Sequence, residues 1–248
     1  MAFPICPFCQ KDPASKTNSH IISDFLTITL KQVGNQRKVF TITKYLPAGK
    51  YPVKQDSSKE NYIFCPTCES LFNTKYERII ANTFYNSFIK KTDFFDVYIR
   101  TRSLSYRVFT NTDYVLFKKF FLLQLYRAHI SNLPEFRSIT LSGAQHDIVY
   151  KNLTDDSCFQ DVKITIFTTD LVKDKTENVI CATPVNKSAY FIWMNEFMCL
   201  YEFDLGTSLI PDVNEAANFN NTSPRLIYLS LETRNQFMEL LVQLLTRQ

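Results

Sequence analysis

The sequence predicts an α+β fold with a zinc-bound N-terminal module, central helices, and a C-terminal antiparallel sheet with a closing helix. Three observations predict this fold. Two Cys-x-x-Cys pairs lie in the first third of the chain, apolar residues then recur at helical spacing, and from residue 161 onward they alternate as in strands. We place the boundary near residue 92, which gives a zinc-bound module over 1–92 and an α+β domain over 93–248.

The two cysteine pairs predict a structural zinc site. Four thiolates can surround one Zn²⁺ tetrahedrally at roughly 2.3 Å, and four sulfur ligands leave no open position for chemistry. The alternative is that these cysteines are buried free thiols, because free cysteine is often buried. The predicted ligands are Cys6, Cys9, Cys65 and Cys68.

Between and after the cysteine pairs, the sequence predicts the elements of the first module. These are a short helix after His20, a strand over 38–43, and a helix over about 69–90. The last helix has an apolar stripe with 3.6-residue periodicity, which should pack the module against the rest of the protein. The stripe consists of Phe72, Tyr76, Ile79, Ile80, Phe84 and Phe88.

The second domain is predicted to begin with strands and helices and to end in a sheet. Asp113 is a plausible N-cap for a strong helix that runs to about residue 131. The predicted elements are one or two strands over 94–109, helices over about 113–153, antiparallel strands over about 161–231, and a closing helix over 232–246.

Composition limits the possible functions. The chain has 4 glycines and neither a Walker nor a G-x-G-x-x-G pattern, which argues against Gly-rich phosphate loops. The net charge of +4 is compatible with nucleic-acid binding. No apolar run reaches the length of a membrane span, no signal peptide is recognised, and the thiols suit a reducing compartment. We therefore expect a cytoplasmic protein without a membrane partner.

Four short motifs carry a resemblance to a known family. They are Ser19-His20-Ile21-Ile22, Cys65-Pro-Thr-Cys68-Glu69, Tyr76-Glu77, and Asp113-Tyr114 with the helix that follows. In these motifs the chain resembles the zinc-stapled branch of the HNH (ββα-metal) endonucleases. More narrowly, it is similar to bacterial proteins that carry a Ser-His-Ile-Ile-Pro element. The resemblance covers roughly residues 5–150.

The resemblance implies roles for four residues. His20 matches the general base, and Asn61 lies near the position that orients it. Glu69 falls where the family binds a catalytic cation, so it would hold Mg²⁺ or Mn²⁺, and Asp24 would substitute for the metal-binding Asp that the family has before its histidine. The chain departs from the family at two positions, with Ser19 in place of a metal-binding Asp and Ser23 in place of Pro.

Each of these residues also has a structural interpretation. His20 could hold its loop against the zinc module, and Asn61 could cap a turn. Glu69 is favoured in the first turn of a helix by the macrodipole alone. Basic residues between 90 and 107 interleave with aromatic residues, which suits phosphate contacts and stacking but also suits ordinary solvated strands.

Two functions from different classes follow. The first is a metal-dependent HNH-like endonuclease that hydrolyses DNA phosphodiester bonds, and the resemblance implies a role in bacterial phage defence. The second is a non-catalytic zinc-binding module that binds nucleic acid or a partner protein within a larger complex. In either case the C-terminal half would supply a surface for substrate, a protein partner or self-association.

Overall fold

The fold was analysed in a computed structural model, and its α+β class agrees with the sequence prediction. The strands and helices described below occupy both the cysteine-rich N-terminal part and the C-terminal part of the chain. The structure describes residues 3–27, 32–33, 36–37, 39–42, 53–54, 57–82, 97–100, 105–109, 112–155, 161–168, 179–195, 197–204, 224–228, 239 and 243.

A nine-stranded sheet forms the largest element of the described residues. Its strand order is β5-β4-β10-β11-β12-β9-β13-β8-β7. Its strands are β4 (Val39–Ile42), β5 (Val53–Lys54), β7 (Val97–Arg100), β8 (Ser105–Val108), β9 (Lys163–Thr168), β10 (Val179–Asn186), β11 (Ala189–Met194), β12 (Phe197–Glu202) and β13 (Arg225–Tyr228). Two further strands, β2 (Gln32–Val33) and β3 (Gln36–Arg37), form a separate two-stranded pair.

The sheet is wider than predicted, and it is mixed rather than purely antiparallel. The predicted strands over 161–231 are present, but β13 runs parallel to β9 and β4 runs parallel to β10. Alternation in a sequence identifies a strand and its faces, whereas the direction of its neighbour depends on long-range connections. The division at residue 92 remains a prediction, because residues 83–96 lie outside the described part of the chain.

The central strands of the sheet are buried on both faces. Every residue of β9, β11 and β12 is buried. Successive side chains of a strand point to opposite faces, and the buried residues accordingly divide into two apolar clusters. The larger cluster joins sheet residues such as Ile192 and Tyr201 to Cys6 and Phe64. These two residues belong to the cysteine-rich region, which comprises residues 3–27 and 57–82. A single apolar core therefore connects the predicted zinc site to the sheet.

Two of the predicted helices pack between the sheet and the cysteine-rich region. Helix α3 (Tyr114–Ile130) begins at Asp113, whose side chain accepts a hydrogen bond from the Leu116 N–H, as the predicted N-cap requires. Helix α4 (Gly143–Thr154) begins with a capping box between Ser142 and Gln145. Most of the predicted closing helix over 232–246 lies outside the described residues, although positions 239 and 243 are helical.

The cysteine-rich region contains a short strand pair followed by a helix. Strand β1 (Ser19–His20) pairs antiparallel with β6 (Lys59–Glu60). Among the described residues, the predicted helix after His20 corresponds to a 3₁₀ turn over Asp24–Thr27, and residues 28–31 lie outside the described part of the chain. The long helix predicted over 69–90 begins earlier and is interrupted. Its parts are α1 (Pro66–Leu71), a π-helical turn (Phe72–Glu77) and α2 (Arg78–Ile80).

Candidate metal centre

The four predicted zinc ligands come together. The sulfur atoms of Cys6, Cys9, Cys65 and Cys68 all lie within 4.8 Å of one another, and the Cys9 and Cys65 sulfurs are 3.7 Å apart. Four sulfurs at 2.3 Å from a tetrahedral ion would be about 3.8 Å apart. The spacing therefore fits a metal ion such as zinc. Among the described residues, no other group of three or more Cys, His, Asp or Glu side chains is arranged to hold a metal.

Local backbone structure explains why each cysteine pair presents its sulfurs together. The first pair lies in a tight turn that ends with Gln10, which adopts a positive φ of 55° and donates its N–H to the Cys6 carbonyl. The second pair straddles the start of α1. There the Cys65 sulfur is the N-cap and accepts a hydrogen bond from the Cys68 N–H at 3.4 Å. Proline at the first helical position, Pro66, suits this helix start.

The protonation of the thiols follows from their surroundings. The backbone N–H of Asp12 lowers the pKa of Cys9 to about 7. Burial raises the pKa values of Cys65 and Cys68 above their ordinary range. A metal ion must displace these protons to bind, so metal loading will release protons and will weaken as the pH falls.

Aromatic side chains join the cysteine pairs to the helices behind them. Phe8 lies between the first two cysteines and packs edge-on against Phe72, with ring centroids 4.8 Å apart. Phe64 precedes Cys65 and contacts both Phe72 and Tyr126 of α3. The Tyr150 hydroxyl of α4 donates to the Phe8 carbonyl at 2.9 Å. A metal ion bound by the two cysteine pairs would therefore also hold these aromatic side chains in place.

His20, the predicted general base, lies half-buried at the end of β1. Its Nδ1 atom forms a hydrogen bond with the Ser57 hydroxyl. The preceding residue, Ser19, is fully buried, so the two neighbouring side chains leave the strand on opposite sides. Ser19 faces Glu69, where burial raises the pKa of the carboxyl and the Ser19 hydroxyl partly offsets that shift, although no well-formed hydrogen bond joins the two. Strand alternation thus separates the His20 imidazole from the Glu69 carboxylate.

Asn61 and Asp24 lie near His20 in the fold or in the sequence, and only Asn61 has a hydrogen bond that the structure assigns to this segment. The Asn61 Oδ1 atom accepts a hydrogen bond from the Asn18 N–H at 2.8 Å, which fixes the segment that enters β1. This backbone contact agrees with the capping interpretation of Asn61, and its role as an orienting residue for His20 stays a prediction. Asp24 is half-buried and opens the 3₁₀ turn that follows. Its predicted role as a cation ligand stays a prediction.

Glu69, the predicted cation ligand, is paired with an arginine. Its Oε1 atom lies 3.6 Å from Nη2 of Arg127, and the same guanidinium donates to Glu77 through Nη1. Burial raises the pKa of Glu69, while the Arg127 charge opposes that shift and the Glu77 charge adds to it. Glu77, for which the sequence suggests a local or surface ion pair, instead contacts a helix 50 residues away in the chain.

Several polar atoms in this buried cluster have no hydrogen-bond partner among the described residues. They are Ser19 Oγ, Glu69 Oε2, and Nε and Nη2 of Arg127. Buried polar groups in native proteins are almost always satisfied by protein or by ordered water. A site with both donors and acceptors suits a buried water, which typically makes about three hydrogen bonds. The cluster is therefore polar, and the single Arg127 guanidinium offsets the charge of one of its two carboxylates.

Sequence analysis did not identify two residues of this region. Arg127 lies in a helix that is apolar on nearly every side, and a charge in such a helix must have a buried partner. That composition is a signal that could have identified it. Ser57 lies in a polar loop, and nothing in the local sequence marks it as the partner of His20.

Comparison with protein-family models, with curated proteins and with solved structures found no match to this chain. Within the described residues, no helix is long and apolar enough to cross a membrane. The assignment of a function therefore depends on the geometry of the candidate site.

Proposed function

We propose that this chain is a zinc-stapled, non-catalytic nucleic-acid-binding protein built on an HNH-like strand–strand–helix module. The observation that carries the proposal is the position of the Arg127 guanidinium between the carboxylates of Glu69 and Glu77. These carboxylates include the one that a nuclease of this kind would use for its cation. In this chain one permanent internal cation contacts both carboxylates and offsets one of their two negative charges.

The electrostatic argument concerns a divalent ion beside Glu69. Two unit charges 4 Å apart interact by about 4 kcal/mol at an effective dielectric constant of 20, so Arg127 would repel a nearby divalent ion by about 8 kcal/mol, which cancels the attraction of one carboxylate at the same distance. Glu69 has a raised pKa because it is buried, which further weakens it as a ligand for a hard cation. Ser19 offers a neutral hydroxyl where a second carboxylate would be needed.

One feature supports the proposed HNH-like module, and another supports the proposed nucleic-acid partner. Strands β1 and β6 precede α1, and the thiol cluster stands beside this strand–strand–helix unit, in the order that an HNH-like module has. The net charge of +4 favours attraction to a polyanion such as DNA or RNA. The alternative to nucleic acid is that the chain binds a partner protein within a larger complex.

One observation favours a second candidate, a metal-dependent HNH-like DNA endonuclease with a role in phage defence. The His20 imidazole is half-buried and is oriented by Ser57, as a general base should be. In this candidate His20 activates water, Asn61 supports its position, and Glu69 with Asp24 holds Mg²⁺ or Mn²⁺. The candidate requires Arg127 to leave Glu69 when the cation binds.

A nicking assay separates the two candidates. Supercoiled plasmid is incubated with zinc-loaded protein and Mg²⁺ or Mn²⁺, and parallel reactions contain single-stranded DNA or RNA. The proposal predicts that wild type and His20→Ala are equally inert, while wild type retains measurable binding to nucleic acid. Hydrolysis by wild type that His20→Ala abolishes would establish the endonuclease instead.

A further inference from the structure

The large apolar side chains that are exposed among the described residues all lie beside the cysteine pairs. They are Phe3, Ile5, Tyr62 and Leu71, with exposed fractions of 38–59%. Each lies within three residues of a predicted zinc ligand. Exposed apolar residues are unremarkable when scattered, whereas a group in one region marks an interaction surface. Two of these side chains, Phe3 and Tyr62, are in contact, with ring centroids 5.1 Å apart.

Backbone hydrogen bonds hold the two rings on one surface. The Tyr62 N–H donates to the Lys16 carbonyl at 2.7 Å, and the Lys16 N–H donates to the Phe64 carbonyl at 3.1 Å. The segment that carries Phe3 joins the same surface, because the Pro4 carbonyl accepts the Ala14 N–H at 2.7 Å. The exposed rings are thus anchored by the segments that form the metal centre.

Tyr62 adopts a backbone conformation that is unusual for an aromatic residue. Its φ is 65°, in the left-handed region that favours Gly and Asn. Such outliers persist only where the surrounding structure enforces them, and they occur often at functional sites. Here the conformation coincides with a large ring left 43% exposed. An asparagine would satisfy this backbone more easily but would provide no ring.

The charges beside the rings favour a polyanionic partner. Lys16 lies opposite Tyr62, and Lys11 follows the first cysteine pair; both are exposed, and neither forms an ion pair with another described residue. Two acidic residues lie near these lysines: the Asp12 backbone contacts Cys9, and the charge of Lys16 acts on the buried Glu69. Thr17, Asn18 and Asn61, which adjoin Lys16 and Tyr62 in the sequence, are also exposed and polar.

From these observations we infer that Phe3 and Tyr62 form a stacking platform for single-stranded nucleic acid, with Lys16 and Lys11 contacting phosphates. Aromatic rings bind unpaired bases by stacking, and this stacking is largely independent of sequence. A duplex hides its base faces, so the platform should favour single strands over duplexes. This inference rests on the proposed function and names the class of nucleic acid.

The test is fluorescence anisotropy with a labelled 15-nucleotide oligothymidine and zinc-loaded His20→Ala protein, so that any hydrolysis cannot obscure binding. Stacking contributes about 1–3 kcal/mol per base, so Tyr62→Asn should weaken binding roughly 5- to 150-fold. Tyr62→Trp should retain binding. Lys16→Gln should reduce the slope of log affinity against log salt by about 0.7.

Two controls keep the result interpretable. Leu71→Ala removes an exposed apolar side chain of the same group that belongs neither to the ring pair nor to the basic residues, so it should weaken binding far less than Tyr62→Asn. Tyr62→Asn should retain the zinc content and melting temperature of the parent protein, because asparagine tolerates the positive φ.

Three binding results would overturn the inference: no binding of the oligothymidine, equal binding by Tyr62→Asn, or equal affinity for a duplex of the same length. A concentration-dependent dimer that Phe3→Asn dissociates would show that the surface binds a second copy, which also overturns it. Plasmid hydrolysis by wild type, together with oligothymidine binding that Tyr62→Asn weakens, would contradict the proposed non-catalytic function but would still support this inference. The two failures are therefore distinguishable.

Discussion

The carboxylate of Glu69 and the guanidinium of Arg127 lie 3.6 Å apart with side chains 6% and 0% exposed, although the two residues come from helices far apart in the sequence. The Arg127 guanidinium also contacts Glu77 and lies over the Phe72 ring at 5.4 Å. This arrangement connects the helix that follows the second cysteine pair to α3. It therefore contributes to both stability and the electrostatics of the candidate site.

Replacing Arg127 with methionine should destabilise the protein by about 3–5 kcal/mol, because it leaves two carboxylates near Phe72 without their cation. The measurement is urea unfolding of zinc-loaded protein followed by far-UV circular dichroism. Glu69→Gln, which keeps the volume and a hydrogen-bonding group, should cost less than Arg127→Met.

The double variant Glu69→Gln/Arg127→Met tests whether the pair is coupled. Its unfolding free energy should lie above the value expected if the two single losses simply added, since residues in contact give non-additive effects. Strict additivity would contradict a direct interaction between these side chains.

A second prediction concerns Ser23, the position where the resembling family has Pro. The Ser23 N–H donates to Gln124 Oε1 at 3.0 Å, and Gln124 Nε2 donates to the Ser23 hydroxyl at 3.0 Å. Both residues are fully buried. Gln124→Ala leaves the Ser23 N–H and hydroxyl unsatisfied and should cost about 1–3 kcal/mol in chemical denaturation. Ser23→Pro lacks the N–H donor and should be destabilising as well. A neutral Gln124→Ala variant would contradict this account.

A third prediction distinguishes the cysteines. Cys68→Ser removes a metal ligand, so the purified protein should lose its zinc and much of its stability, because metal binding supplies folding free energy. Cys199→Ser changes a thiol buried in the sheet, whose pKa is raised by burial, and should retain one zinc per chain. Zinc is measured by a colorimetric chelator after denaturation. Equal zinc contents in the two variants would be the contrary result.

A fourth prediction concerns pH and His129. Burial lowers the pKa of His129 below its ordinary value of 6.5, the nearby His146 lowers it further, and a hydrogen bond to the backbone at Ile139 partly offsets both. In the neutral form its Nδ1 accepts the Leu141 N–H at 3.1 Å. Below pH 6.5 the unfolded chain takes up a proton that the folded protein resists, so stability should fall as the pH decreases.

The His129→Gln variant provides the comparison for this effect. Unfolding free energies at pH 7.5 and pH 5.5 should differ less in the variant than in wild type. A pH dependence that is the same in both proteins would show that His129 does not contribute.

The sequence predicted the features that depend on local pattern. The Cys-x-x-Cys spacing predicted the cluster of four thiols. Asp113 and the periodic apolar residues that follow it predicted the start of α3. The α+β class and the strands after residue 161 followed from alternation in the same way. Each of these features is encoded within a few consecutive residues.

The features that the sequence did not predict arise from contacts between distant segments. Strand β4 joins the sheet parallel to β10, and no local pattern specifies that partner. Glu69 and Arg127 meet across two helices, so spacing alone could suggest a cation site at Glu69 without indicating the guanidinium beside it. The exposure of Phe3 and Tyr62 likewise depends on how the surrounding segments fold.

X-ray absorption at the zinc edge of protein purified without added metal tests the central claim most directly. We expect one zinc ion per chain with four sulfur neighbours at about 2.3 Å, supplied by the two cysteine pairs. A metal-free protein, or a zinc ion with nitrogen or oxygen ligands in place of any of the four sulfurs, would contradict the proposed metal centre.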